Sequence, residues 1–123
     1  MPKVLIIESD EEARYLYDIA LRFQNLTVET ANTVKDGLRL VPQLKPELLL
    51  LDQLVPDLDN HNVINELEKV VPHKMPIIIA TNLRDKSHAD RDELQILKAF
   101  AYLTSGEFTV GDVIRTSRKA AKI

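Results

Sequence analysis

A run of four leucines at residues 48–51 constrains the fold more than any other part of the chain. The run contains no turn residue, and residues 53–60 after it are dense in aspartate and asparagine, with one proline. A short apolar run between turn signals predicts a strand that is buried on both faces, as strands are in a parallel sheet. Asp52 then takes the last position of this strand. Because open α/β sheets bind ligands at the carboxyl ends of their strands, Asp52 is a candidate site residue.

Further apolar segments alternate with segments of helical periodicity. The other predicted strands are 4–7, 26–31, 77–81 and 102–104, and the alternating polarity of 26–31 favours a sheet edge. Helical patterns are predicted after the strands, beginning near residues 9, 33, 60, 84 and 109. This repeated βα order predicts an α/β fold with helices on both faces of a parallel sheet. We expect a flavodoxin-like (βα)5 fold, a doubly wound five-stranded sheet of order 2-1-3-4-5.

Local signals predict where helices begin and which face is buried. Three residue pairs have capping spacing: Ser9 with Glu12, Thr33 with Asp36, and Thr109 with Asp112. The predicted inner faces are Ala13, Leu16, Tyr17 and Ala20 in the first helix, and Leu38, Val41 and Leu44 in the second. Pro42 predicts that the second helix ends or kinks nearby, because proline lacks the N–H that a helix interior uses.

Composition excludes several classes of protein. The 123 residues suit one domain, 1–123, and a net charge of -3 argues against nucleic-acid binding by this domain. No apolar stretch approaches the ~20 residues of a membrane span. The chain has no cysteine, and Glu8 follows the first apolar run too early for a signal peptide. We therefore expect a cytoplasmic protein without membrane contact.

The predicted strand order makes the first and third strands neighbours. Glu8, Ser9 and Asp10 follow the first strand and Asp52 ends the third, so we expect these residues to meet in one crevice. The three glycines form neither a dinucleotide fingerprint nor a P-loop. A flavin- or nucleotide-binding enzyme is therefore the weakest alternative for this crevice.

The chain resembles a response-regulator receiver domain over nearly its whole length. The resemblance is carried by the order and spacing of residues 4–8, 50–52 with 55–59, 77–81 and 101–104. It implies a role in two-component phosphorelay signalling for a domain that is not itself an enzyme. Asp52 matches the aspartate that accepts a phosphoryl group from a sensor histidine kinase or a phosphotransfer protein.

The resemblance also implies roles for residues around Asp52. Thr81 matches the hydroxyl residue that contacts the phosphoryl group, and Tyr102 matches the aromatic residue that switches with it. The implied Mg²⁺ ligands are Glu8, Asp52 and the backbone carbonyl of Leu54, with Asp10 as an alternative ligand. Phosphoryl transfer depends on such positioning and charge neutralisation.

Two positions depart from the family pattern. Ser9 stands where a second metal-binding acid is usual, and Ser105 stands where a lysine pairs with the phosphoryl oxygens. An ion pair at ~4 Å is worth roughly 4 kcal/mol at an effective dielectric near 20, so the missing charges predict weaker Mg²⁺ binding and a less stable phosphorylated state.

These departures leave an alternative function open. A divergent pseudo-receiver would bind a partner independently of phosphorylation. By resemblance, an output protein would bind the face formed by the fourth helix, the fifth strand and the last helix. The last helix carries Arg115, Arg118, Lys119 and Lys122, which form either a solvated basic face or a docking patch.

Overall fold

The computed structural model describes residues 2–52, 57, 66, 69–70, 75–80, 101–103 and 109–123, and of 101–103 it describes the backbone alone. Five parallel strands form one sheet in the order β2-β1-β3-β4-β5, which confirms the predicted flavodoxin-like order. The strands are β1 Lys3–Ile7, β2 Thr27–Ala31, β3 Leu48–Asp52, β4 Ile77–Ala80 and β5 Ala101–Leu103. The helices described from end to end are α1 Glu11–Arg22, α2 Val34–Leu44 and α3 Val110–Ala121.

Two predicted helices lie largely or wholly outside the described residues. Glu66, Lys69 and Val70 are helical, within the helix predicted from about residue 60 to 70. The helix predicted over 84–98 lies outside the described residues, as do Thr81 and Thr104 at the ends of two predicted strands.

The central strands are buried on both faces, as the leucine run predicts. Successive side chains of a strand point to opposite faces of the sheet, and they enter two separate clusters. Leu5, Leu49 and Ile77 pack on the α2 side. Val4, Leu48 and Ile78 pack on the side of α1 and α3. The edge strand β2 has a mixed burial pattern, which confirms its predicted position.

The N-cap of the first helix lies one residue later than predicted. Its N-cap is Asp10 and not Ser9, because the Asp10 side chain accepts a 3.1 Å hydrogen bond from the N–H of Ala13. The predictions for the other two helices are confirmed: Thr33 caps α2 and Thr109 caps α3. In α3, Thr109 and Asp112 form a reciprocal capping box.

The buried face of α1 also differs from the prediction. The helix buries Ala13, Tyr17 and Leu21, a strict i, i+4, i+8 stripe, whereas Leu16 is 50% exposed. The predicted inner face is therefore confirmed at Ala13 and Tyr17 and wrong at Leu16.

The second helix ends at Leu44, two residues after Pro42, which confirms that this helix ends near the proline. Pro42 is exposed and lies in the last turn, where the loss of one helical N–H interrupts little of the helix. Leu38 and Val41 are buried and Leu44 is partly buried against the core, as predicted.

Glycine at position 37 lets α2 approach the sheet closely. A Cβ atom placed on Gly37 would lie 2.4 Å from Cδ1 and 2.8 Å from Cγ1 of Ile7. Ile7 is the last residue of β1 and immediately precedes Glu8. The packing of α2 therefore bears directly on the strand end that carries Glu8.

Candidate functional site

Glu8 and Asp52 lie side by side at the carboxyl edge of the sheet. Ile7 pairs in register with Leu51, so the next residues along the two parallel strands are Glu8 and Asp52. Both follow the alternation of Val4 and Leu48, which directs them to the same face. Glu8 is 3% exposed and Asp52 is 6% exposed, so two carboxyl groups are buried next to each other.

The two carboxyl groups share a proton. Burial, followed in size by the hydrogen bond to Asp52 and the negative charge of Asp52, raises the pKa of Glu8 to about 9. The backbone N–H groups of Asp10 and Ser9 oppose this shift in the pKa. A negative charge on one of two adjacent carboxyl groups disfavours ionisation of the other. Near neutral pH, Glu8 therefore keeps its proton and donates a hydrogen bond to Asp52.

The main chain of Glu8 is held on both sides. Its N–H donates a 3.0 Å hydrogen bond to the carbonyl of Ala31, which extends the β1–β2 pairing. Its carbonyl accepts a 2.9 Å hydrogen bond from Nη1 of Arg14 in α1. Sequence reasoning missed Arg14, because an arginine in the second turn of a helix carries no signal of a contact with a strand end.

Asp57 is a second residue that sequence reasoning missed. Its Oδ1 accepts a 3.0 Å hydrogen bond from the N–H of Val34, and its Oδ2 accepts one of 3.0 Å from the N–H of Lys35. The carboxylate thus binds the first two N–H groups of α2. Only its place in a turn-rich segment distinguishes it in the sequence.

The structure places some predicted site residues and leaves others outside the described part. Ser9 and Asp10 are exposed, and Asp10 is used as the cap of α1. Ala80 pairs in register with Asp52, and Thr81 follows Ala80 in sequence. The backbone of Tyr102 pairs with Ile79. Leu54, Thr81 and Ser105 lie outside the described residues, as does the side chain of Tyr102.

The carboxyl pair suits a hard divalent cation. Mg²⁺ is usually held by one or two carboxylates, and water and phosphate oxygens complete its coordination. Glu8 and Asp52 supply two such groups, close enough to share a proton that a cation would displace. Within the described ranges, no group of three acidic, histidine or cysteine side chains could hold a metal ion.

In the part of the chain that the structure describes, no helix is both long enough and apolar enough to cross a bilayer.

Comparison with known proteins adds an independent result. The family described as the response regulator receiver domain matches residues 4–104, which is most of the chain. The transcriptional regulatory protein AfsQ1 of Streptomyces coelicolor is 33% identical over 85 residues, which are 69% of this chain and 37% of AfsQ1. The KDP operon transcriptional regulatory protein KdpE of Escherichia coli is 30% identical over 99% of this chain and 52% of its own length.

Solved structures agree on the fold. A CheY-like receiver domain protein from Methanospirillum hungatei superposes with a TM-score of 0.82 at 21% identity, covering 99% of this chain and 94% of that one. This likeness shows the fold alone. The chain spans between about a third and half of the length of the curated relatives named above.

Proposed function

We propose that this chain, which belongs to the response-regulator receiver family, accepts a phosphoryl group on Asp52 from a histidine kinase or a phosphotransfer protein. As a receiver domain, it functions in two-component signalling. The observation that carries the proposal is the position of Asp52: it is the last residue of the central strand β3, buried beside Glu8 at the carboxyl edge of the sheet.

The proposed step is a displacement at phosphorus. A carboxylate oxygen of Asp52 forms a bond to the phosphorus atom, and the bond from phosphorus to the donor breaks. The donor, the imidazole of a phosphohistidine or the acetate of acetyl phosphate, leaves with the electron pair. The protein contributes position and charge, which dominate the catalysis of such transfers.

Glu8 supports this step through the shared proton. Burial and the neighbouring Asp52 raise the pKa of Glu8, so before Mg²⁺ binds the Glu8 carboxyl is neutral and does not compete with Asp52 as the nucleophile. Arg14 and Ala31 fix the main chain of Glu8, so the pair keeps its arrangement before a donor arrives.

Receiver domains generally bind Mg²⁺ at an acidic pocket. In this chain we assign the ligands to Glu8, Asp52 and the backbone carbonyl of Leu54. Asp10 remains an alternative ligand that would have to give up its place as the cap of α1. Bound Mg²⁺ would neutralise charge that develops on the phosphoryl oxygens. Ser9 supplies no carboxylate, so we expect weak binding.

Thr81 and Tyr102 complete the proposal. Thr81 would donate a hydrogen bond to the phosphoryl group, since it follows the β4 residue that pairs with Asp52. Tyr102 would change position with Thr81, since β5 lies next to β4. The support for both roles is the family pattern and the strand register.

Receiver domains interact with histidine kinases and output domains. We propose the face that includes β5 and α3 for an output partner. Arg115, Lys119 and Lys122 are exposed on or just after α3. The Arg115 guanidinium already pairs with Asp112, and Arg118 donates a 3.1 Å hydrogen bond to Gln24 of the α1 end.

Phosphorylation by a small donor tests this function. The purified protein is incubated with Mg²⁺ and acetyl phosphate, and its intact mass is measured, with Asp52→Asn as the isosteric control. We expect a mass gain of one phosphoryl group in the wild type and none in the variant. The absence of a gain in the wild type would overturn the proposal in favour of a phosphorylation-independent receiver.

A further inference from the structure

Helix α1 carries large apolar side chains on its outer side as well as on the side that packs on the sheet. In the part of the chain that the structure describes, five large apolar side chains are exposed, and four of them belong to α1 and its C-cap: Tyr15, Leu16, Ile19 and Phe23. Phe23 is 82% exposed and Tyr15 is 66% exposed. Apolar side chains scattered singly over a surface are ordinary, whereas a contiguous apolar patch marks an interaction site.

These four residues form one stripe, which we call the α1 stripe. Leu16, Ile19 and Phe23 recur at i, i+3 and i+7, a spacing that places side chains on the same side of a helix. At 3.6 residues per turn, the whole stripe covers roughly 100° of the helix circumference. The helix buries a separate set on its other side, Ala13, Tyr17 and Leu21. Helix α1 therefore has two apolar sides, and the sheet covers only one of them.

Helix α3 lies beside α1 and runs in the same direction. The first turns of the two helices line one cavity, which Ala13, Leu16 and Val110 border. Near the other ends, Nη1 of Arg118 in α3 donates a 3.1 Å hydrogen bond to Oε1 of Gln24, just after α1. The outer sides of α1 and α3 therefore form one continuous surface, with the α1 stripe along it.

The two ends of this surface carry opposite charges. Glu11 and Glu12 are exposed in the first turn of α1. At the other end, Arg118 lies in the last turn of α3, and the exposed Lys122 follows that helix. Each charge has the sign that the dipole of its own helix favours. A surface with an acidic end, an apolar centre and a basic end is complementary to a copy of itself that is rotated by 180°.

We propose that the outer surface of α1 and α3 pairs with the same surface of a second copy of this chain, with the two α1 helices antiparallel. The α1 stripes of the two copies pack together at the centre of the contact. At each end, Glu11 and Glu12 of one copy lie opposite Arg118 and Lys122 of the other. This contact is isologous and closes at two copies, as in most symmetric oligomers.

The size of the surface predicts a weak dimer. A helix of 12 residues is about 18 Å long, and two helices side by side are roughly 20 Å wide. The contact then covers about 400 Å² of each copy, roughly half of the ~800 Å² of a standard interface. We therefore expect a dissociation constant of roughly 10 to 100 μM.

Sedimentation equilibrium of the full chain at a series of concentrations measures this pairing. The wild type should change from monomer to dimer as its concentration rises. Phe23→Ser removes the most exposed side chain of the stripe, so its dissociation constant should be about tenfold higher or more. Urea unfolding of each variant verifies that the fold is intact.

Reversal of the charges tests the two-fold arrangement. Glu11→Lys with Glu12→Lys makes both ends of the surface basic, and Arg118→Glu with Lys122→Glu makes both ends acidic. Each double variant alone should dimerise about tenfold more weakly than the wild type or not at all. An equal mixture of the two should dimerise again, because every acidic end then meets a basic end. Lys35→Glu, exposed on α2 at the opposite face of the sheet, is the control and should dimerise like the wild type.

A wild type that stays monomeric at every concentration would overturn the inference, as would a mixture that fails to dimerise when both double variants are folded. If a double variant fails to fold, the comparison of wild type with Phe23→Ser still decides. A monomeric wild type in which Phe23→Ser slows phosphorylation by a phosphohistidine protein, but not by acetyl phosphate, would show that the stripe binds the phosphoryl donor instead. These outcomes are independent of whether Asp52 accepts a phosphoryl group.

Discussion

The carboxyl groups of Glu8 and Asp52 share one proton across the boundary between β1 and β3. Glu8 is the residue after β1 and Asp52 is the last residue of β3, so the pair is a direct result of the strand register. One buried proton in place of a second negative charge affects both the stability of the fold and the binding of cations at the site.

The shared proton predicts that stability falls as pH rises. Glu8 has a folded-state pKa of about 9 against an ordinary value of 4.5, so between these values the native state binds more protons than the unfolded state. The contribution is complete below the unfolded-state pKa and is lost as pH rises through the folded-state pKa. The slope can reach about 1.4 kcal/mol per pH unit.

Urea unfolding of wild type and Glu8→Gln at about pH 6 and about pH 8 checks this slope. Gln cannot ionise but can still donate a hydrogen bond to Asp52, so the variant should lose this part of the pH dependence. Glu12→Gln, at an exposed position of α1, is the control and should keep the wild-type slope. Parallel pH profiles for wild type and Glu8→Gln would contradict the shared proton.

Restoring the missing charges should strengthen the site. Ser9→Asp combined with Ser105→Lys introduces an acid for the metal and a cation for the phosphoryl oxygens. Even a fraction of the roughly 4 kcal/mol of a partly buried ion pair would raise the phosphorylated fraction several-fold. Intact mass at a fixed acetyl phosphate concentration measures that fraction. Ser9→Asn with Ser105→Gln is the uncharged control, and equal fractions in the two double variants would contradict the prediction.

The two described helical glycines should respond oppositely to alanine. Gly37→Ala places a methyl group 2.4 Å from Cδ1 of Ile7, and overpacking of this kind costs about 1–3 kcal/mol. At Gly111 the nearest atom is Oγ1 of Thr109 at 3.4 Å, so Gly111→Ala should instead gain up to ~1 kcal/mol from helix propensity.

Thermal unfolding of the two variants provides the comparison. Adding Ile7→Val to Gly37→Ala removes the closest atom and should restore part of the loss. If Gly37→Ala is as stable as Gly111→Ala, then α2 does not depend on close contact with β1.

The buried hydroxyl of Ser117 predicts a stabilising substitution. Ser117 is 0% exposed in α3, and its Oγ has no hydrogen-bond partner among the residues that the structure describes. Ser117→Ala removes an unsatisfied polar group and improves helix propensity, so the free energy of unfolding should rise by about 1 kcal/mol. Urea unfolding measures the change, and a loss of stability would show that the hydroxyl is bonded in the folded protein.

Sequence patterns predicted the sheet because strands buried on both faces require contiguous apolar residues. Residues 48–51 and 77–79 can satisfy that requirement only at the centre of a covered sheet. The position of Asp52 followed from the same run. The caps at Thr33 and Thr109 were predictable because each threonine precedes an aspartate by three residues.

The remaining details depend on three-dimensional arrangement. Ser9 and Asp10 are both good caps, and only the path of the turn selects Asp10. The proton shared by Glu8 and Asp52 depends on the approach of two strands that are distant in sequence. The bonds of Asp57 to Val34 and Lys35 join segments 22 and 23 residues apart, a separation at which no local pattern operates.

The most direct test of this account is to locate the phosphoryl group within the phosphorylated protein. Tandem mass spectrometry after treatment with acetyl phosphate and Mg²⁺ assigns the modification to a residue, and Asp52, Glu8 and Asp10 are the acidic candidates at this edge of the sheet. Because Asp52 ends the central strand β3 and Asp10 caps α1, we expect the phosphoryl group on Asp52 and its loss in Asp52→Asn. A phosphoryl group on Glu8 or Asp10, or a modification that persists in Asp52→Asn, would contradict the assignment of Asp52 as the phosphoacceptor.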